Sequence, residues 1–189
     1  MYIHWVVYMT TKDRILEAAA KLFYGEGVRA VSVDSIAAKA GVTKRTLYYH
    51  FRSKDDLIAA YLEARDQPNL ALFQRWFAEA QGGVAERVEA IFRNLATSAR
   101  HPKWKGCGFL RTSVELVEFP GHPAMVAGRA HKKHVEEWLG GVTGDPMTAR
   151  QIVLLMDGAF SAVLLHRDPS YLEAAGAAAA RLLAMPSPH

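Results

Sequence analysis

Between Lys44 and His50 the chain reads KRTLYYH. Two cations, a hydroxyl, two phenols and an imidazole share this stretch with a single aliphatic residue, Leu47. Cations and hydroxyls suit phosphate oxygens, and arginine or lysine side chains also suit the acceptor edges of bases. Leu47 and Phe51 lie four apart, so a helix puts both on one buried face. Lys44, Arg45, Thr46, Tyr48, Tyr49 and His50 are then left to face outward. From Ser35 to Lys54 there are five cations (Lys39, Lys44, Arg45, Arg52 and Lys54) and no carboxylate. The plain alternative is a solvated basic face on an ordinary helix pair. The coincidence of turn, caps, cations and outward aromatics favours nucleic-acid binding.

Two short helical patterns must position these side chains. The first opens at Ser32, a good N-cap, with Val33, Ile36, Ala37 and Ala40 on one face. Gly41 supplies the open backbone needed to leave a helix, and Val42 is the apolar residue of the turn. Thr43 caps the second pattern, which runs to His50. Two short helices joined by a glycine-containing turn of this length form a helix-turn-helix. An earlier helix is expected from Thr11 as cap, with Ile15, Leu16, Ala19, Leu22 and Phe23 as its apolar stripe. A later one starts at Ser53, with Asp55 and Asp56 in its first turn and Lys54 where backbone N–H groups favour a phosphate.

The segment Ile15 to Leu57 resembles the DNA-binding domain of the TetR family of bacterial transcription regulators. The residues that carry the likeness are ILEAAAKLF, the Gly27-Val28 exit and SVDSIAAKAGVTKRTLYYHFRSKDDL. A weaker likeness to one C-terminal type of that family lies in GCGFLRTSVEL and HPAMVAGRAHKKHVEEWL. The resemblance implies an all-α fold of nine or ten helices: an N-terminal extension (1–10), a DNA-binding head (11–58) and a helical ligand-binding and dimerisation body (59–189). It implies a homodimer on a palindromic double-stranded operator, most simply a repressor that a small apolar effector releases. Thr43, Thr46, Tyr49, His50 and Lys54 are expected on the phosphate side and Lys44, Arg45 and Tyr48 at base edges, with Ser32 a further DNA-binding residue and Lys12 a minor phosphate contact.

The remaining pattern is helical throughout. Pro68 is expected to break or bend the helix from Ser53, because proline inside a helix costs about 3 kcal/mol. Beyond it, Phe73, Phe77, Trp104 and Phe109 are the candidates for an effector pocket between helices. Asp145-Pro146 and Asp168-Pro169 each read as a cap followed by proline at the first helical position. Those last two helices are expected to pair in the dimer, through Leu155, Gly158, Ala162, Leu165, Ala174, Ala178 and Leu182.

Composition narrows the classes. The 189 residues are half hydrophobic, with a formal net charge of +4. A modest basic bias permits nucleic-acid binding, and its concentration near Arg45 says more than the total. The single cysteine, Cys107, excludes an intrachain disulfide and fits a cytoplasmic setting. No apolar run is expected to reach the ~20 residues of a membrane span. Residues 1–8 lack a signal-peptide pattern, and Met9 is an alternative start. Cys107 has no local base to make it a nucleophile. His131 and His134, three apart around Lys132 and Lys133, read as a solvated helix face rather than a metal site. No enzyme activity, cofactor or metal is expected. Two alternatives remain: a ligand-independent DNA-binding protein, and a helical small-molecule enzyme or carrier with a vestigial head.

Overall fold

The computed structural model describes residues 9–184, and the N-terminal extension up to residue 8 lies outside them. Among the described residues there are nine helices and no strand. They are α1 (Thr11–Glu26), α2 (Val33–Ala40), α3 (Lys44–His50), α4 (Lys54–Glu79), α5 (Val84–Ala99), α6 (Gly108–Glu115), α7 (Pro123–Thr143), α8 (Pro146–His166) and α9 (Ser170–Ala184).

Polar caps set the starts of the head helices. The cap of α1 is Thr10 rather than Thr11, because Thr10 and Asp13 satisfy each other's backbone N–H in a reciprocal capping box. Ser32, Thr43 and Ser53 accept from the third residue of α2, α3 and α4 respectively. Asp145 caps α8 by accepting from both Met147 and Thr148.

Two hydrophobic cores result. The first joins Ile15, Phe23, Ile36, Leu47, Leu57 and Tyr61 of the head helices to Phe109, Leu116, Ala124 and Ala127 from farther along the chain. The second, within the body, gathers residues such as Phe73, Phe92, Leu139, Ile152, Met156 and Leu172. Core boundaries therefore do not follow a division of the chain at residue 58.

Two expectations are corrected here. Helix α4 does not break at Pro68 but runs through it without interruption. The reason is tertiary: Leu57, Tyr61 and Leu62 anchor one half of α4 in the first core, while Leu70 and Phe73 anchor the other half in the second. Pro68 and Ala64, whose carbonyl loses its helical partner, are both exposed, so water can satisfy that carbonyl. The second correction concerns apolar length. Helix α8, of 21 residues, is long and apolar enough by composition to cross a bilayer. Here its inner face, including Ile152, Met156, Phe160 and Val163, packs in the second core.

Candidate nucleic-acid interface and effector cavity

Helix α3 hangs on one buried side chain. Leu47 is fully buried in the first core, and Phe51, its C-cap, lies beside it. Every other residue of α3 is at least partly exposed, with Tyr48 at 43% and Tyr49 at 86%. Tyr48 and Tyr49 thus add two phenol groups to the outward surface of α3. Arg45 is exposed and makes no ion pair among the described residues. Lys44 is different, because its Nζ donates to Asp34 at 3.1 Å and a phosphate would have to compete with that carboxylate.

The Thr43 hydroxyl accepts from the backbone of Thr46 at 3.1 Å and shares a 2.8 Å bond with the Thr46 hydroxyl. Both threonines thus stiffen the α3 start while remaining at the surface. His50 is half-buried and meets the Tyr49 ring edge-on, with centroids 5.2 Å apart. Lys54 donates to the Arg29 carbonyl at 3.3 Å, and partial burial lowers its pKa. Ser32 caps α2 through the Ser35 N–H. Lys12 lies with Nζ 5.7 Å from the Phe51 ring centre.

Sequence reasoning missed the residue that locks the turn. Arg14 of α1 donates to the carbonyls of Ala40 (2.6 Å) and Gly41 (3.2 Å), the orphan acceptors at the end of α2. Gly41 holds φ 65°, ψ 40°, a left-handed conformation that returns its N–H to the Ala37 and Ala38 carbonyls. The angle between α2 and α3 is thus held from both sides of the turn.

Below the head, α4, α5, α7 and α8 with the loop before α6 enclose a cavity of about 260 Å³. Phe73 and Trp104 line it together with Trp76, Val153, Met156 and Phe160. Phe77 instead meets the edge of Trp138, with Arg87 above its ring. Phe109 is fully buried and stacks flat on the His131 ring at 3.7 Å, behind the cavity wall. Cys107, the N-cap of α6, also faces this space.

The solvated-face reading of the α7 histidine pair fails at His131, which is buried, while His134 stays partly exposed. His131 is 3% exposed, and its Nδ1 bonds Oδ1 of Asp66 on α4 at 2.7 Å. His134 bonds the other oxygen of Asp66, also at 2.7 Å. Helix α7 packs along α4, which sets both imidazoles against the half-buried Asp66 carboxylate, with His131 inside and the His134 side chain still 41% exposed. Burial works against ionising Asp66, but the two histidine bonds outweigh it and hold the pKa below the ordinary value. For His131, burial is the largest influence and pushes its pKa down; the Asp66 bond opposes it, and the nearby Lys132 cation adds to the lowering. Farther along, His122 caps α7 and its Nε2 lies 3.2 Å from Asp55 in the first turn of α4. Helix α7 therefore grips the helix that carries the head at two heights.

Cavity wall and head are joined by a second route. The Tyr24 hydroxyl, at the end of α1, accepts from the Lys105 N–H at 2.9 Å. Arg111 of α6 donates to the Tyr24 carbonyl at 2.7 Å, and Glu115 accepts from the Arg29 N–H at 2.9 Å. No group of metal-ligating side chains is found among the described residues.

A helix-turn-helix with an outward basic, aromatic recognition helix, set on a helical body with an internal cavity, defines a one-component regulator class. Comparison with known proteins makes this specific. The family model for "Bacterial regulatory proteins, tetR family" matches residues 15–61. A TetR-family transcriptional regulator from Streptomyces coelicolor superposes with a TM-score of 0.79 at 31% identity, covering 92% of this chain and 93% of that one. A TetR-type regulator structure from Streptomyces avermitilis gives 0.75 at 30% identity, covering 90% and 98%. The chain belongs to the TetR family of transcriptional regulators. Among curated relatives, the regulator TtgR of Pseudomonas putida is 41% identical over 94 residues, 48% of this chain and 45% of TtgR. The chain thus spans less than half the length of the curated relatives of this kind.

Proposed function

We propose that the protein is a homodimeric repressor that holds a palindromic operator with two copies of α3 and releases it when a small, largely apolar molecule enters the cavity. The observation that carries the reading is α3 itself, where a single fully buried leucine supports an outward surface of Arg45, Tyr48 and Tyr49. Arg45 reads a base edge, and Thr43, Thr46, His50 and Lys54 hold phosphates. Dimerisation uses α8 and α9, between which lies an open apolar groove lined by Leu155, Gly158, Ala162, Ala178 and Leu182. Leu165 (77% exposed) and Ala174 extend the same two helices outward. Such a regulator acts in the cytoplasm and needs no cofactor.

The switch follows from the two connections between cavity and head. Filling the cavity displaces the Trp104–Cys107 wall and α7. The wall is tied to α1 through Tyr24, and α7 is tied to α4 through Asp66 and Asp55. Both shifts tilt the heads away from the ~34–36 Å separation of successive major grooves. The test is in vitro selection of duplexes by the full chain, followed by fluorescence anisotropy at several salt concentrations. A palindrome bound with steep salt dependence by a light-scattering dimer is expected. Failure to enrich any sequence, or operator binding by a monomer, overturns the reading.

A further inference from the structure

Resting on the reading of this cavity as the effector site, we infer that its ligand is a small hydroxylated aromatic of one or two rings, whose O–H donates to Nε2 of His131, and not a cation. Three features on the cavity wall lead there.

The first is an acceptor with a fixed tautomer. Asp66 is ionised and can only accept, so the Nδ1 atoms of His131 and His134 must both carry hydrogen. Burial keeps His131 neutral near pH 7, which leaves Nε2 as a bare lone pair. That nitrogen has no partner among the described residues, yet no fully enclosed side-chain nitrogen or oxygen is left without one. Nε2 therefore touches open space, and the space that His131 lines is this cavity. The Phe109 ring, stacked at 3.7 Å, prevents the imidazole from swinging away.

The second feature is charge. Asp and Glu are absent from the cavity lining, whereas Arg65 and Lys132 are part of it. Lys132 is paired with Asp157 of α8, but Arg65 makes no ion pair among the described residues and lies over the Tyr24 ring. A cationic ligand would meet like charge without a counter-ion, which is costly in a confined apolar space. A phenol meets an acceptor at His131, and Arg65 favours any negative charge that develops on its oxygen.

Size and surface are the third. About 260 Å³ lies just under the ~300 Å³ low end of typical small-molecule sites, so the guest is compact. Phe73, Trp76, Trp104 and Phe160 offer ring faces and edges to an aromatic body.

Three probes that share a ring system test this: 2-naphthol, 2-methoxynaphthalene and 2-naphthylmethylamine, titrated calorimetrically into the full-length chain at pH 7.5. Naphthol is expected to bind at least about tenfold tighter than its methyl ether, and the ammonium compound without measurable heat. His131→Phe keeps a ring against Phe109 and removes the acceptor, so naphthol and its ether should bind alike. His131→Leu provides an independent variant: it removes both ring nitrogens while keeping an apolar side chain, and it too should bind naphthol and its ether alike. Circular dichroism verifies that each variant is folded. Equal binding of naphthol and ether by the unaltered chain overturns the inference, as does an intact preference in either folded variant. Tight binding of the ammonium compound, or no heat from any of the three, also overturns it. The effector reading is scored separately, by anisotropy on a selected duplex with naphthol present. Selective naphthol binding without loss of duplex affinity leaves the phenol site standing and removes the regulatory role.

Discussion

The head and the body solve the same packing problem with opposite tolerances. In the head, small buried side chains (Ala18, Ala19, Ala37 and Ala40) bring the helices close around Leu47, and caps and Arg14 fix each end. The body buries alanines too (Ala96, Ala149, Ala159, Ala175 and Ala179), yet keeps a cavity of about 260 Å³ and an open groove between α8 and α9. A surface that must match a duplex needs one geometry, whereas a surface that must admit a guest needs room. Capping and turn contacts converge on α3, whereas open space lies in front of His131.

The largest effect should come from breaking the tight side. Leu47→Ala removes the one buried anchor of α3 and should cost ~2–5 kcal/mol of stability, with loss of duplex binding. Val153→Leu, which adds a methylene beside existing space, should cost less than ~1.5 kcal/mol. Paired denaturant titrations measure both. Equal losses would mean that the body is as tightly packed as the head.

Next comes the outward face. Arg45→Ala should cost ~1–3 kcal/mol at one base position in each half-site and relax preference there. Lys44→Ala should cost less, because Asp34 already holds Lys44. Anisotropy on operators altered one position at a time distinguishes the two. Thr43→Ala removes the α3 cap and should cost ~1 kcal/mol in thermal denaturation, with no change in which base is preferred.

The smallest expected effect is on pH dependence. His131 has a folded pKa below its unfolded value, so the unfolded chain binds the proton first as pH falls. Stability should be full above about pH 6.5 and decline as pH drops from there toward the lower folded pKa. Asp66, also lowered, adds a loss in the same direction below its unfolded value of about 3.8. Melting temperatures between pH 8 and pH 5 should show the decline, and His131→Phe should flatten it. Asp66, Lys132 and His134 are the titratable neighbours that would modify the slope.

Legibility in the sequence followed the range of the interactions. Ser32, Thr43, Ser53 and Asp145 act on residues two or three positions away, and each announced its helix from its own neighbourhood. The basic, aromatic run of α3 was equally local. Pro68 misled because a local cost was set against anchoring in two separate cores, which only the tertiary structure reveals. Asp66 and His131 stand 65 positions apart, and Arg14 and Ala40 stand 26 apart. No periodicity links such pairs. The His131-Lys132-Lys133-His134 spacing did show two imidazoles on one face, but nothing near it named their partner.

The first core has a consequence for anyone building chimeric regulators. Tyr61, Leu57 and Phe23 are covered in part by Phe109, Leu116, Ala124 and Ala127, which lie far beyond the family-matched segment. Grafting residues 9–58 onto a foreign body would leave that covering behind and uncap a greasy seam along α1 and α4. A transplant that keeps its shape must carry α6 and the first turns of α7 with it, or be given a host whose corresponding surface has the same relief.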